Sequence, residues 1–269
     1  MLSTARPKPA VDEALDSSPQ TQGAPSISVI VPAHNEARSL PTLVERVGQT
    51  LQAEGWSYEI LVVDDGSRDN TRAVLEELQG NHPRLRARFL DRQRGKSYAL
   101  SCGLRAARGD TVVFMDADLQ DVPEEVPTLL RALEDGPLDL VQGWREHRAD
   151  SPIKTLASVA FNRMCSSLSG LHLHDVNCGL KVFRRSALTD LRLAAGEHRF
   201  VPLLAHRTGL RVGEVKVQHS PRAFGKSRYG WSRYGVGLRD LVRIALLPRL
   251  LEALHPDRQN PGESQHELT

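Results

Sequence analysis

Two rhythms of apolar and polar positions run along this chain. Short continuous apolar runs read as buried strands, and apolar residues three and four apart read as helix faces. Ile27-Ser28-Val29-Ile30-Val31 is the first strand. A helix follows over Ser39 to Ala53, with Leu40, Leu43, Val44, Val47 and Leu51 on one face. The next elements are a strand at Tyr58 to Val63, a helix at Asn70 to Leu78 and a strand at Leu85 to Leu90. The helix expected over Lys96 to Arg108 is capped by Gly109, and the run Thr111 to Met115 is a further strand. Strand and helix alternate at the spacing of βαβ units. Roughly the first 120 residues therefore predict an α/β fold, a parallel sheet flanked by helices.

The second half is less regular. Strands are expected at Leu138 to Gly143, Gly179 to Phe183 and Leu210 to Val217, with helices at Ile153 to Ser169 and Phe200 to Thr208. Residues 1–25 carry four prolines among small polar residues and read as a disordered tail. From Pro221 to Pro248 six basic residues face one acid, Asp240. In the stretch that begins at Trp231, residues 236–255 read as a basic amphipathic helix. Such a helix either lies on an anionic membrane or packs on the main domain with its arginines in water. Residues 256–269 are polar and read as a frayed tail.

Composition narrows the function classes. A net charge of +2 gives no reason to expect nucleic acid as a partner. Cys102, Cys165 and Cys178 lie far apart with no CxxC pair, which argues against a disulfide frame and a structural zinc site. No long uncharged apolar stretch and no N-terminal apolar segment occur, so the expected place is the cytoplasm, with peripheral contact at the cytosolic membrane face.

Candidate chemistry gathers at strand ends. Asp116-Ala117-Asp118-Leu119-Gln120 follows an apolar strand. Two carboxylates so placed can turn toward one point, and Mg²⁺ typically takes one or two carboxylates plus substrate phosphates. Pro32-Ala33-His34-Asn35-Glu36 ends the first strand and Asp64-Asp65-Gly66-Ser67 the second. Asp64 or Asp65 can accept a hydrogen bond from a nucleobase, while Asp65-Gly66-Ser67 is also ordinary turn chemistry. His34 reads as a solvated loop histidine. Gly95 and Lys96, with Arg92 and Arg94, precede a helix whose N-terminus can hold an anion. Neither a Walker pattern nor a GxGxxG after the first strand is present, which disfavours a P-loop enzyme and a dinucleotide oxidoreductase.

The three motifs PAHNE, DDGS and DADLQ, in that order and each ending a strand, resemble the family 2 glycosyltransferases. The resemblance spans roughly residues 26–235. It implies a GT-A domain, Rossmann-like, with a mostly parallel sheet. Asp116 to Gln120 with Pro123-Glu124 is similar to the DADLQ-x-x-PE run of the dolichyl-phosphate mannose synthase and polyprenyl-phosphate glycosyltransferase subgroup. That similarity implies Asp116, Asp118 and Gln120 as ligands of Mg²⁺ or Mn²⁺. It implies nucleotide-sugar contacts from Pro32, Ala33, Asn35, Glu36, Asp64, Asp65 and Lys96. Gly143-Trp144-Arg145 stands where the subgroup has G-x-R. Lys154 and Ser158, four apart, stand where it has an arginine and a serine that cradle the lipid phosphate. Here lysine keeps the charge and loses the bidentate fork. Asp175-Val176-Asn177-Cys178-Gly179-Leu180-Lys181 and His198-Arg199-Phe200 also resemble subgroup segments. Arg222, Lys226 and Arg228 belong to a loop resembling R-x-x-G-x-S-K-Y, with Arg228 in the lysine's place; in the family this loop folds over the diphosphate.

The resemblance implies inverting, metal-dependent transfer of a hexose from a nucleotide sugar, of the GDP-mannose or UDP-glucose type, to a polyprenyl phosphate. An alcohol acceptor needs a general base, whereas a phosphate acceptor is already anionic and needs cations. Arg145 and Arg222 are the expected cations at the reacting centre, and Asp175 is the candidate base for an alcohol. The other expectations are a family 2 enzyme acting on a glycan or small molecule, and a non-catalytic sugar-nucleotide-binding module.

Overall fold

The computed structural model describes residues 24–145, 161–167, 169–188 and 193–221. Seven strands form one mixed sheet. They are β1 (Ile27–Ala33), β2 (Tyr58–Asp64), β3 (Leu85–Phe89), β4 (Thr111–Phe114), β5 (Leu140–Arg145), β6 (Lys181–Arg184) and β7 (Val212–Val217). Their order across the sheet is β3-β2-β1-β4-β6-β5-β7. The first four run parallel, β6 is antiparallel to both β4 and β5, and β7 is parallel to β5. The helices are α1 (Leu40–Ala53), α2 (Thr71–Asn81), α3 (Lys96–Ala106), α4 (Val126–Asp135), α5 (residues 161–167) and α6 (Val201–Arg207).

The central strands are covered on both faces, so they read as unbroken apolar runs rather than alternating ones. Val29 and Val31 of β1 pack with Leu43, Val47 and Leu51 of α1 and with Leu129 and Leu133 of α4. Ile30 points the other way, into a cluster with Leu100 and Leu104 of α3, Phe114, Phe183 and Val201. Phe114 and Phe183 meet edge to face, with ring centroids 4.8 Å apart at 81°.

From β1 the chain builds outward to β2 and β3, then returns to place β4 on the other side of β1. Open α/β sheets bind ligands at such a reversal, outside the C-terminal strand ends. The register sets the ends of β1 and β2 level, with Ala33 opposite Asp64. PAHNE, DDGS and DADLQ thus emerge side by side.

The structure corrects the sequence expectations at three places. Helix α4 was not expected; its Val126, Leu129, Leu130 and Leu133 are buried at helical spacing, behind a 3₁₀ turn at Pro123–Glu125. Gly109 does not cap α3, which ends at Ala106 with Ala107 extended. Its backbone instead passes so close to Ile27 and Ser28 that a Cβ would lie 2.6 Å from them, and its N–H donates to Ser28 Oγ at 2.8 Å. The strand expected at Leu138 to Gly143 lies two residues later, at Leu140–Arg145, carrying Arg145 on its last position. Most of the helix expected over Ile153 to Ser169, both tails and the basic helix at 236–255 lie outside the described residues.

Candidate active site

The loop after β1 and the loop after β2 brace each other. Asn35, with φ at 57°, accepts from Arg68 N–H at 2.7 Å through Oδ1, and its own N–H donates to Ser67 Oγ at 2.8 Å. Glu36 N–H donates to Thr71 Oγ1 at 2.9 Å. Asp64 accepts Ser67 N–H at 3.1 Å, closing the turn. Gly66 sits at φ 62° against the Arg92–Gln93 backbone, where a Cβ would come within 2.5 Å of the Arg92 carbonyl carbon. His34 donates Nδ1–H to the Asp65 carbonyl at 2.7 Å and lines the main cavity, so it is a wall of the site rather than a solvated loop residue.

The expected anion site ahead of α3 is already filled from within. Asp65 accepts Arg94 N–H at 2.6 Å and Gly95 N–H at 2.8 Å. The loop's two amides therefore hold the chain's own carboxylate. This fixes Lys96, the first residue of α3, in the cavity lining, and its ammonium reaches the Asp116 carboxylate. Burial works against ionising Asp116, but the Lys96 charge and hydrogen bond prevail and hold its carboxyl below the usual range.

After β4 the chain turns sharply. Leu119 lies at φ 62°, a conformation that costs a bulky residue energy and persists only where packing enforces it. Burial of the Leu119 side chain in the core beside Ala117 supplies that packing. The turn aims Asp116, Asp118 and Gln120 at one cavity, and Gln120 N–H donates to Asp118 Oδ1 at 3.2 Å. Beneath them lies Asp121, a buried carboxylate that the sequence reading did not single out. Its Oδ2 accepts Asp116 N–H at 3.3 Å, and burial with the neighbouring Asp116 charge pushes its pKa up to about 7. Gly179 leaves room for both acids, since a Cβ there would lie 2.4 Å from Asp121 Oδ2.

Arg145, at the end of β5, also lines the cavity. Asp175 grips it with two bonds, Nε to Oδ2 at 2.6 Å and Nη2 to Oδ1 at 3.1 Å. The Asp175 side chain is only 1% exposed and both its oxygens bond Arg145, so it anchors the guanidinium. Glu214 of β7 accepts the Asp175 and His174 backbone N–H groups, holding that anchor loop to the sheet. His219 donates Nδ1–H to the Gln120 carbonyl at 2.9 Å and sets Nε2 3.4 Å from Arg145 Nη1, linking Arg145 to the Asp116–Gln120 turn. Deeper in, Lys181 donates to the Cys178 carbonyl, and burial lowers its pKa. His198 Nδ1 lies 2.8 Å from Ser97 Oγ; burial, then the Lys96 charge, holds this imidazole well below its ordinary pKa. Lys181 and His198 had been noted in motifs without a role. Their burial beside the acids depends on contacts far apart in sequence.

One cavity of about 370 Å³ collects these groups. Of the expected site residues, Pro32, Ala33, Glu36, Asp65, Lys96, Asp116, Asp118, Gln120 and Arg145 line it. Asn35 braces the loops instead. Asp64 opens onto an adjoining hollow of about 260 Å³ with Arg68, Arg72 and Arg92. Lys154, Ser158, Arg222, Lys226 and Arg228 lie outside the described residues.

Residues 28–192 match the model of glycosyl transferase family 2, more than half of the sequence. The chain belongs to this family. Dodecaprenyl-phosphate galacturonate synthase of Rhizobium johnstonii is 35% identical over 229 residues, covering 83% of this chain and 67% of that protein. Undecaprenyl-phosphate 4-deoxy-4-formamido-L-arabinose transferase of Proteus mirabilis is 36% identical over 208 residues, covering 76% and 63%. The chain thus spans about two thirds of the length of these curated relatives. Glucosyl-3-phosphoglycerate synthase from Mycobacterium tuberculosis, solved with Mn²⁺, UDP and phosphoglyceric acid, superposes with a TM-score of 0.63 at 26% identity, covering 84% of this chain and 78% of that one. The fold of this family 2 chain is GT-A.

The donor set fits a hard divalent ion. Asp116, Asp118 and Gln120 offer oxygens to the cavity, and the Lys96 ammonium already stands on Asp116 as a cation in place. Among the described residues no three of His, Cys, Asp and Glu converge into a closed metal cage. Two carboxylates and an amide, with room for phosphate oxygens, suit Mg²⁺ or Mn²⁺ better than zinc. No helix of the described residues is long and apolar enough to cross a membrane.

Proposed function

We propose that this family 2 protein transfers a hexose, with inversion, from a nucleotide sugar of the GDP-mannose or UDP-glucose type to a polyprenyl phosphate at the cytosolic face of a membrane. The observation that carries this reading is that the Asp116–Gln120 turn and Arg145 line one cavity. The relatives that transfer sugars to dodecaprenyl and undecaprenyl phosphates support the acceptor class. The structure solved with Mn²⁺ and UDP supports a metal-assisted nucleotide-sugar donor.

In this reading a phosphate oxygen of the acceptor attacks the anomeric carbon as the bond from that carbon to the diphosphate breaks. The electron pair of the broken bond stays on the leaving diphosphate. Asp116, Asp118 and Gln120 would hold a divalent ion, which would supply a Lewis acid for that growing charge. The chain's own part is electrostatic and positional. Arg145, locked by Asp175, presents a fixed guanidinium to the acceptor phosphate or the leaving group. Lys96 adds a charge that can follow the diphosphate. Lys154 and Ser158 are assigned to the acceptor phosphate, and Arg222, Lys226 and Arg228 to the donor diphosphate, on the motif resemblance. Because the acceptor is already ionised, no base is required. The anchoring of Asp175 agrees with that, since both its oxygens face Arg145.

The test is a panel of GDP- and UDP-sugars with Mg²⁺ or Mn²⁺, offered a short polyprenyl phosphate or the matching polyprenol. Release of nucleoside diphosphate should rise with the phosphate and not with the alcohol. Equal stimulation by the polyprenol would reject the acceptor class.

A further inference from the structure

Among the described residues, Lys96 holds a position that no other cation of the cavity shares. Its ammonium is on Asp116, the first carboxylate of the turn, and both side chains open into the cavity, 28% and 34% exposed. Lys181 also lies near Asp116, but it is buried and donates to the Cys178 carbonyl. The Lys96 backbone is pinned, because Arg94 and Gly95 give their amides to Asp65. Its stem is not pinned. A lysine is a point charge on a flexible four-carbon chain, and a pair that lines a cavity can exchange one partner for a bound anion. One end of the cavity thus has Asp65 and the β1–β2 loops, the other has Asp116 and Asp118, and Lys96 stands between them.

We propose that Lys96 is a tethered cation that occupies Asp116 until the donor's diphosphate draws it away, so that metal ion and nucleotide bind as coupled partners. Without nucleotide, an arriving ion has to displace the ammonium. With a diphosphate present the ammonium gains a second anionic partner and leaves Asp116 to the ion. Coupling is reciprocal, so the ion must equally favour the nucleotide. Lys96 is here a positioning residue, and the inference rests on the metal-dependent reading above.

The test is Mn²⁺ binding to the full chain, followed by the electron paramagnetic resonance of free Mn²⁺, with and without UDP and corrected for the Mn²⁺–UDP complex. Wild type, Lys96→Met and Lys96→Arg are compared after circular dichroism shows each folded. Without UDP, Lys96→Met should bind Mn²⁺ at least about fivefold more tightly than wild type, with Lys96→Arg close to wild type. UDP should tighten Mn²⁺ binding by a larger factor in wild type than in Lys96→Met. Equal or weaker Mn²⁺ binding by Lys96→Met, while wild type binds the ion with UDP, overturns the inference and leaves the metal reading standing. No Mn²⁺ binding by wild type even with UDP overturns both.

Discussion

Asp175 and Arg145 meet 30 positions apart in sequence and hold one wall of the site. Their side chains are 1% and 16% exposed, and removing one partner of such a pair leaves a charge stranded out of water. Asp175→Ala should therefore lower stability by about 3–5 kcal/mol, read by chemical denaturation at neutral pH. A loss below about 1 kcal/mol, the scale of an exposed pair, would contradict the anchor role. His198 gives a pH signature. Burial, reinforced by the Lys96 charge, keeps it neutral in the folded chain. Below about pH 6.5 the unfolded chain binds a proton that the folded one does not. The histidine's contribution is whole above that pH and declines below it, by up to about 1.4 kcal/mol per pH unit, until the folded group itself titrates. His198→Gln should flatten the fall of thermal stability between about pH 6.5 and 5. An unchanged slope would place the acid sensitivity elsewhere.

At the scale of elements, the loops after β1 and β2 brace each other, and the loop after β2 packs on the loop after β3. Gly66 is the close approach there, with positive φ and the Arg92 backbone 2.5 Å from where a Cβ would be. Gly66→Ala should cost about 1–3 kcal/mol, seen as a lower melting temperature, and on the proposed function it should also weaken UDP binding. Full stability in that variant would show that the loops are not locked there. The same elements show what the sequence makes legible. β1, β2 and β4 are covered on both faces, so their apolar runs stand out, and the polar residues at or just beyond their ends mark the binding edge. Helix α4 was passed over because its apolar spacing begins behind Pro123 and includes Pro127, residues that read as loop. The anchoring of Arg145 by Asp175, the filling of the α3 loop by Asp65 and the burial of Lys181 each join distant segments. A single sequence carries no local signal for any of them. Leu119 at positive φ was hidden for another reason. Leucine is unfavourable there, and only its buried side chain holds the turn.

For the molecule as a whole, the reversal of strand order at β1 and β4 gathers the polar strand ends at one sheet edge. The antiparallel β6 then lets β5 run in the same direction as β4, so that Arg145 emerges at the same edge as the carboxylates. The sheet is thus a frame that sets Arg145 and the acid turn into the lining of one cavity, and the central claim is that this arrangement serves metal-assisted transfer to a lipid phosphate. The most direct measurement follows labelled sugar from the donor into the lipid phase, using wild type and Asp116→Asn, each with divalent ion and with a chelator. The account predicts label on the polyprenyl phosphate only for wild type with the ion, and a loss of at least about a hundredfold for Asp116→Asn. Label transferred equally by Asp116→Asn, or undiminished by the chelator, would contradict it.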